Sequence, residues 1–164
     1  MPTDLKKYPP NWAKEIVPRI RKRAGESFDK DSNRTQHAKC EKCGVGNYSI
    51  GSRLDWGKFI PLGGNALHDL LGEGKSYPDL NPISYKDAKK FVDDLNQFLE
   101  DDDKKYFMIV LTVAHLDHDE TNWDVKDERL RAWCQYCHLT YDAKEKARRR
   151  RVKKYSNSFF PLDE

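Results

Sequence analysis

The sequence predicts a small α+β domain, organised as strand, turn, strand and helix with further helices around that unit. Three observations carry the prediction. "YFMIVLTVAHL" (Tyr106 to Leu116) is apolar and β-branched, the composition of a buried strand. "ISYKDAKKFVDDLNQFLEDDDKK" repeats its apolar residues at helical spacing. Two C-x-x-C pairs, "CEKC" (Cys40, Cys43) and "CQYC" (Cys134, Cys137), stand ninety residues apart with no Cys left over. A chain of 164 residues, 37% hydrophobic and 35% charged, suits one domain with a modest core.

Taken in order, "PPNWAKEIVPRIRKRAG" reads as an N-terminal helix, with Trp12, Ile16 and Ile20 at helical spacing and Gly25 at its end. Pro18 lies inside this pattern and should kink or split it. A polar stretch leads to the first Cys pair, where Gly44 and Gly46 suit a tight turn. Residues 50–105 form an insertion between the two pairs, expected to be mainly helical. In its second half Ser84 and Asp87 make a capping-box-like start, and Ala88, Phe91, Val92, Leu95, Phe98 and Leu99 share one stripe. His68, upstream, is expected to be structural. After the buried strand comes a polar turn from Asp117 to Asp127. "RLRAW" then returns as a short strand, and "CQYCHLTYDAKEKARRRR" starts at the second Cys pair and continues as a helix. Residues 1–164 thus read as a single domain, with 144–164 as a basic C-terminal extension.

No run of about 18 apolar residues predicts a membrane span, and "MPTDLKKYPPNW" has no apolar signal region. The expectation is a cytoplasmic protein with no membrane partner. In a reducing compartment four Cys are poor disulfide candidates. Two paired knuckles instead suit a tetrahedral Zn²⁺ site with structural thiolate ligands at Cys40, Cys43, Cys134 and Cys137. Net charge is only +3, but "KEKARRRRVKK" (Lys144 to Lys154) gathers eight bases against one acid. Such a block is either a solvated helix face or a footprint for phosphates.

Next to the strand end stand His115, Asp117 and His118, and His138 follows Cys137 directly. A zinc linking the knuckles would bring the start of the last helix beside the hairpin. Imidazoles and a carboxylate gathered there suit phosphodiester hydrolysis: one imidazole takes a proton from water, and the others hold a divalent cation on the phosphate.

"CEKC … LTVAHLDHD … RLRAWCQYCHLTYDAK" resembles an HNH endonuclease of the ββα-metal (His-Me finger) class, in the zinc-stapled form common in bacteria and phages. "HLDHD" before C-x-x-C is also similar to the endonuclease VII group. The resemblance covers roughly 8–46 and 109–151 and leaves the insertion out. It implies a zinc-bound ββα core, catalytic Mg²⁺ or Mn²⁺, cleavage of DNA (duplex or branched) to 5′-phosphate ends, and a bacterial or phage-infected cytoplasm. RNA is compatible with the same chemistry. By motif position His138 matches a ligand of the catalytic metal. Asp117–His118 supplies the acid–base pair of such sites, with His118 as general base and Asp117 as metal ligand. His115 is the alternative base or a further ligand, because its spacing to His138 fits the motif and Ala114 stands where an acid is usual. Arg129 occupies the usual Asn position; Asn122 offers a substitute, and Arg129 a phosphate contact. Arg148, Arg149, Arg150, Arg151, Lys153 and Lys154 are the remaining candidates for the nucleic-acid backbone. The alternative reading is a zinc-stabilised nucleic-acid-binding or assembly module without turnover, a subunit of a packaging or defence complex. The insertion would dock a protein partner.

Overall fold

A computed structural model describes residues 7–53, 59–62, 84–97, 99, 106–119 and 121–159. His68 lies outside the described residues.

Pro18 has no N–H to give the carbonyl of Lys14, so a regular α-helix cannot run through it. The chain responds with a wide π-turn at Trp12–Ile16, in which the Val17 N–H donates to the Trp12 carbonyl five residues back. Only then does α1 (Val17–Arg23) begin, with Pro18 in its first turn, where no N–H is needed. The expected split is therefore a change of helix type rather than a kink. Trp12, Ile16 and Ile20 keep their common stripe and enter the main core. Ile20 is fully buried, worth about 1.5–3 kcal/mol of transfer free energy.

A small hairpin follows, β1 (Ser27–Phe28) against β2 (Arg34–Gln36), and then the first knuckle. Its turn closes through Gly44 N–H to the Cys40 carbonyl (2.8 Å) and Cys40 N–H to the Val45 carbonyl (2.8 Å). Gly44 takes φ +76°, a conformation that a Cβ would strain.

The strand expected over Tyr106 to Leu116 is broken in two. β5 (Phe107–Met108) joins β3 (Ile50–Arg53) and β4 (Phe59–Pro61) in a three-stranded antiparallel sheet of order β4-β3-β5. β6 (Leu111–His115) leaves that sheet and pairs with β7 (Leu130–Cys134). Between them the backbone at Ile109 bonds both ways to the segment after the knuckle, donating to the Ser49 carbonyl and accepting from Tyr48 N–H. Val110 N–H turns away to the Gln135 side chain. An uninterrupted apolar run does not reveal such a change of partner.

The described part of the insertion holds one helix and two short strands, and the rest of 50–105 lies outside the described residues. α2 (Tyr85–Asn96) starts at the Ser84–Asp87 capping pair, as expected, and buries Ala88, Phe91 and Leu95 against Ile50. It ends three residues before Leu99. There Asn96 holds both the N–H and the carbonyl of Tyr106, fixing the entry to β5. At Gly51 a Cβ would sit 2.0 Å from the Ile60 carbonyl oxygen, so only glycine lets β3 and β4 approach this closely.

The β6–β7 hairpin pairs Leu111 with Cys134 and His115 with Leu130. A 3₁₀ turn at Asp127–Arg129 leads into β7, and α3 (Gln135–Phe159) leaves it without a loop. Arg23 welds this unit to the rest. Its guanidinium donates to the carboxylate of Glu41 and to the carbonyls of Asp127 and Leu130. Glu41 in turn bonds the backbone of Ala132 through both its own N–H and its carboxylate. The first knuckle is thereby docked on β7. The molecule is a mixed α and β fold with small sheets and three α-helices among the described residues. None of those helices is long and apolar enough to cross a membrane.

Candidate functional site

Docking the first knuckle on β7 gathers the four thiols. The Sγ atoms of Cys40, Cys43, Cys134 and Cys137 all lie within 4.8 Å of one another, and Cys43 Sγ is 3.8 Å from Cys134 Sγ. A tetrahedral Zn²⁺ with sulfur at about 2.3 Å requires an S···S edge of about 3.8 Å, so the cluster fits a structural metal such as zinc. The thiol chemistry agrees. Burial pushes Cys137 far above its usual range, neighbouring sulfurs push it further, and burial also raises Cys43. For Cys40 burial works upward too, but N–H donors at Cys134, Cys43 and Lys42 outweigh it and lower the thiol. Thiolates crowded in this way repel unless a divalent cation sits among them.

At the far end of the hairpin the strand, the turn and α3 enclose a cavity of about 100 Å³. It is lined by His115 and Val113 of β6, His118 of the turn, His138, Asp142, Glu145, Lys146 and Arg149 of α3, and Tyr8 before the π-turn. Three of the four residues proposed for chemistry therefore meet here. Asp117 does not line the cavity. Its carboxylate is used inside the turn, accepting from Asp119 N–H (3.1 Å) and Asn122 Nδ2 (3.2 Å).

Each imidazole is held differently. His115 is buried and stacked on the Trp12 indole, ring centroids 4.9 Å apart and 11° from parallel, with Tyr8 at 5.8 Å. His118 takes φ +56°, an uncommon backbone state for a residue with a side chain. Its ring stacks on Tyr141 at 4.5 Å, and its Nδ1 lies 3.1 Å from Asp142 Oδ1. Tyr141 is itself anchored, donating its hydroxyl to the Leu116 carbonyl at 2.7 Å. His138 Nδ1 is 2.9 Å from Thr112 Oγ1, and its Nε2 is 3.4 Å from Asp142 Oδ2. Asp142 thus stands between two imidazoles, one oxygen toward each.

Asp142 was not singled out from the sequence. It lies four residues after His138, the spacing that puts two side chains on one helix face, and that spacing was the available signal. Trp12, Tyr8 and Thr112 had none, since they reach the site only through the tertiary fold. Among the described residues the four Cys are the only metal-ligating group drawn so tightly; His118, Asp142 and His138 do not form another.

The basic candidates divide. Arg149 lines the cavity, with Nη2 3.2 Å from the His118 carbonyl oxygen. Arg148 and Arg149 both pair with Glu145. Arg150 donates to the Lys146 carbonyl, while Arg151, Lys153 and Lys154 are exposed along α3. Arg129 is exposed at the end of the 3₁₀ turn, and Asn122 clamps the turn through Asp117 and Asp124 N–H. No family model, curated protein or solved structure matches this chain.

Proposed function

We propose that this protein is a metal-dependent endonuclease of the HNH type, hydrolysing phosphodiester bonds in DNA. The observation that carries the reading is the Asp142 carboxylate poised between His118 and His138 at the mouth of a basic helix. With Asp142 ionised, His118 carries its proton on Nδ1 toward Oδ1. That tautomer leaves Nε2 as the acceptor for a proton from the attacking water. The Tyr141 stack and the strained turn fix the ring's direction.

His138 and Asp142 would hold the divalent cation, in the role that the sequence reading gave to His138 and Asp117. The fit rests on their donors. If the Thr112 hydroxyl donates to the Trp133 carbonyl (3.4 Å), it accepts from His138 Nδ1–H. His138 Nε2 and Asp142 Oδ2 lie 3.4 Å apart, and in that tautomer they offer a nitrogen and a carboxylate oxygen that would serve as ligands of one divalent cation. A nitrogen and a carboxylate oxygen suit Mn²⁺ at least as well as Mg²⁺. The ion would supply positive charge to the phosphate and the departing oxygen. His115, packed under Trp12 in the cavity wall, is the alternative base. The sulfur cluster would hold a structural zinc that ties the start of α3 to the first knuckle.

Plasmid nicking with added Mg²⁺ or Mn²⁺ tests the reading. His118→Ala and Asp142→Asn should each lower the rate by about 10²–10⁴-fold while zinc content and fold persist. A larger loss in His115→Ala than in His118→Ala would move the base to His115. Exposed Arg129 in place of the usual Asn supports the second reading, a binding module without turnover; folded, zinc-loaded protein that binds DNA and never cuts it would establish that reading.

A further inference from the structure

His138, Asp142, Glu145 and Arg149 are spaced four, three and four residues apart, so they form one stripe of α3, and all four line the cavity. The first two have a place in the proposed chemistry. Glu145 does not, and its carboxylate lies against two arginines of the basic block, Arg148 and Arg149. Oε1 and Oε2 receive Arg148 Nη2 and Nε at 2.7 Å each, and Oε1 also receives Arg149 Nε at 2.8 Å. Arg149 at the same time reaches the His118 carbonyl through Nη2. An acid lining a cavity meant for a polyanion is unfavourable there unless it has a task.

We propose that Glu145 is an internal stand-in for a backbone phosphate: its carboxylate occupies the anion site made by Arg148 and Arg149, and bound DNA displaces it. This rests on the endonuclease reading only for the identity of the anion. The geometry is that of phosphate recognition, since guanidinium forks bind carboxylate and phosphate in the same two-pronged way. Placement agrees as well. Arg149 starts about 10 Å along the helix from Asp142, but its head leans back toward the helix N-terminus and ends beside His118, so the phosphate it takes adjoins the one attacked. Acid does not open the latch. Hydrogen bonds from Arg148 and Arg149 hold the Glu145 carboxyl at about 2, so it stays charged near neutrality and is displaced by a competing anion rather than by protonation. A DNA strand brings such anions densely along its axis, and two exposed arginines would exchange one carboxylate for them most readily at low salt.

The exchange predicts that removing the carboxylate strengthens binding. Fluorescence anisotropy of labelled DNA, without added Mg²⁺ or Mn²⁺, reads affinity independently of any cutting. Glu145→Gln should lower Kd about three- to tenfold at ~0.1 M salt. Arg149→Ala should weaken binding and reduce the salt slope by about 0.9. In the Arg148→Ala/Arg149→Ala background, Glu145→Gln should give no tightening. Glu145→Ala serves as the second variant and should behave as Glu145→Gln does. Unchanged or weaker binding by folded Glu145→Gln and Glu145→Ala overturns the proposal. So does equal tightening without the two arginines, which would mean a general charge effect, and so does wild type that binds no DNA. Binding that follows the predicted pattern in a protein that never nicks would support the latch and overturn only the nuclease reading.

Discussion

At one end of the β6–β7 hairpin, Leu111 faces Cys134 beside four sulfurs; at the other, His115 faces Leu130 next to a cavity holding three imidazoles. The two regions are assembled on different principles. The sulfur cluster uses four copies of one chemical group from two short local turns, and what matters is their mutual distance. The cavity uses unlike groups from β6, the turn, α3 and the segment before the π-turn. There each group's tautomer and direction depend on a specific neighbour. One region fails all at once when a member is lost. The other should degrade one function at a time.

The largest effect expected is therefore at the cluster. Cys134→Ala should abolish stoichiometric zinc by elemental analysis and remove the cooperative thermal transition, because structural Zn²⁺ contributes about 10–16 kcal/mol in small domains. A variant that still melts cooperatively without metal would show that the Arg23–Glu41 tie holds the knuckle unaided. Next in size is Trp12→Ala, which removes an indole packed on both His115 and the main core. A loss of about 3–5 kcal/mol in urea unfolding is expected, with zinc content unchanged. Zinc released in the folded variant would mean that the two ends are not separate. Smaller again is Tyr141→Phe, which keeps the His118 stack and removes only the hydroxyl bond to Leu116. It should cost about 1 kcal/mol in urea unfolding and, on the proposed nuclease reading, lower nicking through misdirection of His118.

The smallest effect lies outside both regions, at the Arg19–Asp127 pair (2.7 Å) beside the hairpin. The hydrogen bond from Arg19 holds the Asp127 carboxyl below its ordinary 3.8. A carboxyl lowered on folding stabilises above its unfolded value and loses that contribution as pH falls through the folded value. Both side chains are substantially exposed, so less than about 1 kcal/mol is at stake. The Tm difference between wild type and Asp127→Asn should be constant near neutrality, shrink as pH falls past the ordinary 3.8, and vanish only below the lowered folded value.

Legibility in the sequence follows the same division. The Cys cluster was readable because C-x-x-C spacing is a local property and pairs of knuckles have few other uses. Helix α2 was readable from Ser84, Asp87 and its apolar stripe. The break between β5 and β6 was not, because Ile109 and Val110 are as apolar as their neighbours and only Ser49, Tyr48 and Gln135 redirect them. His115, His118 and His138 were recognised as candidates from their residue types. Their partners Trp12, Thr112 and Tyr141 were not, since Trp12 and Tyr141 look like ordinary core and Thr112 like an exposed strand residue. Asp117 drew attention by standing next to His118, yet in the fold a neighbour in sequence turned inward to the turn, while Asp142, twenty-four residues on, took the contact.

The left-handed backbone at His118 carries a further consequence. A residue with a Cβ at φ +56° is held about 1 kcal/mol or more above a glycine in the same place. Backbone strain by itself would therefore favour glycine over the very imidazole that the proposed chemistry needs. His118→Gly should melt at a higher temperature than His118→Ala, and an unguided search for heat-resistant variants would tend to discard activity at this position first.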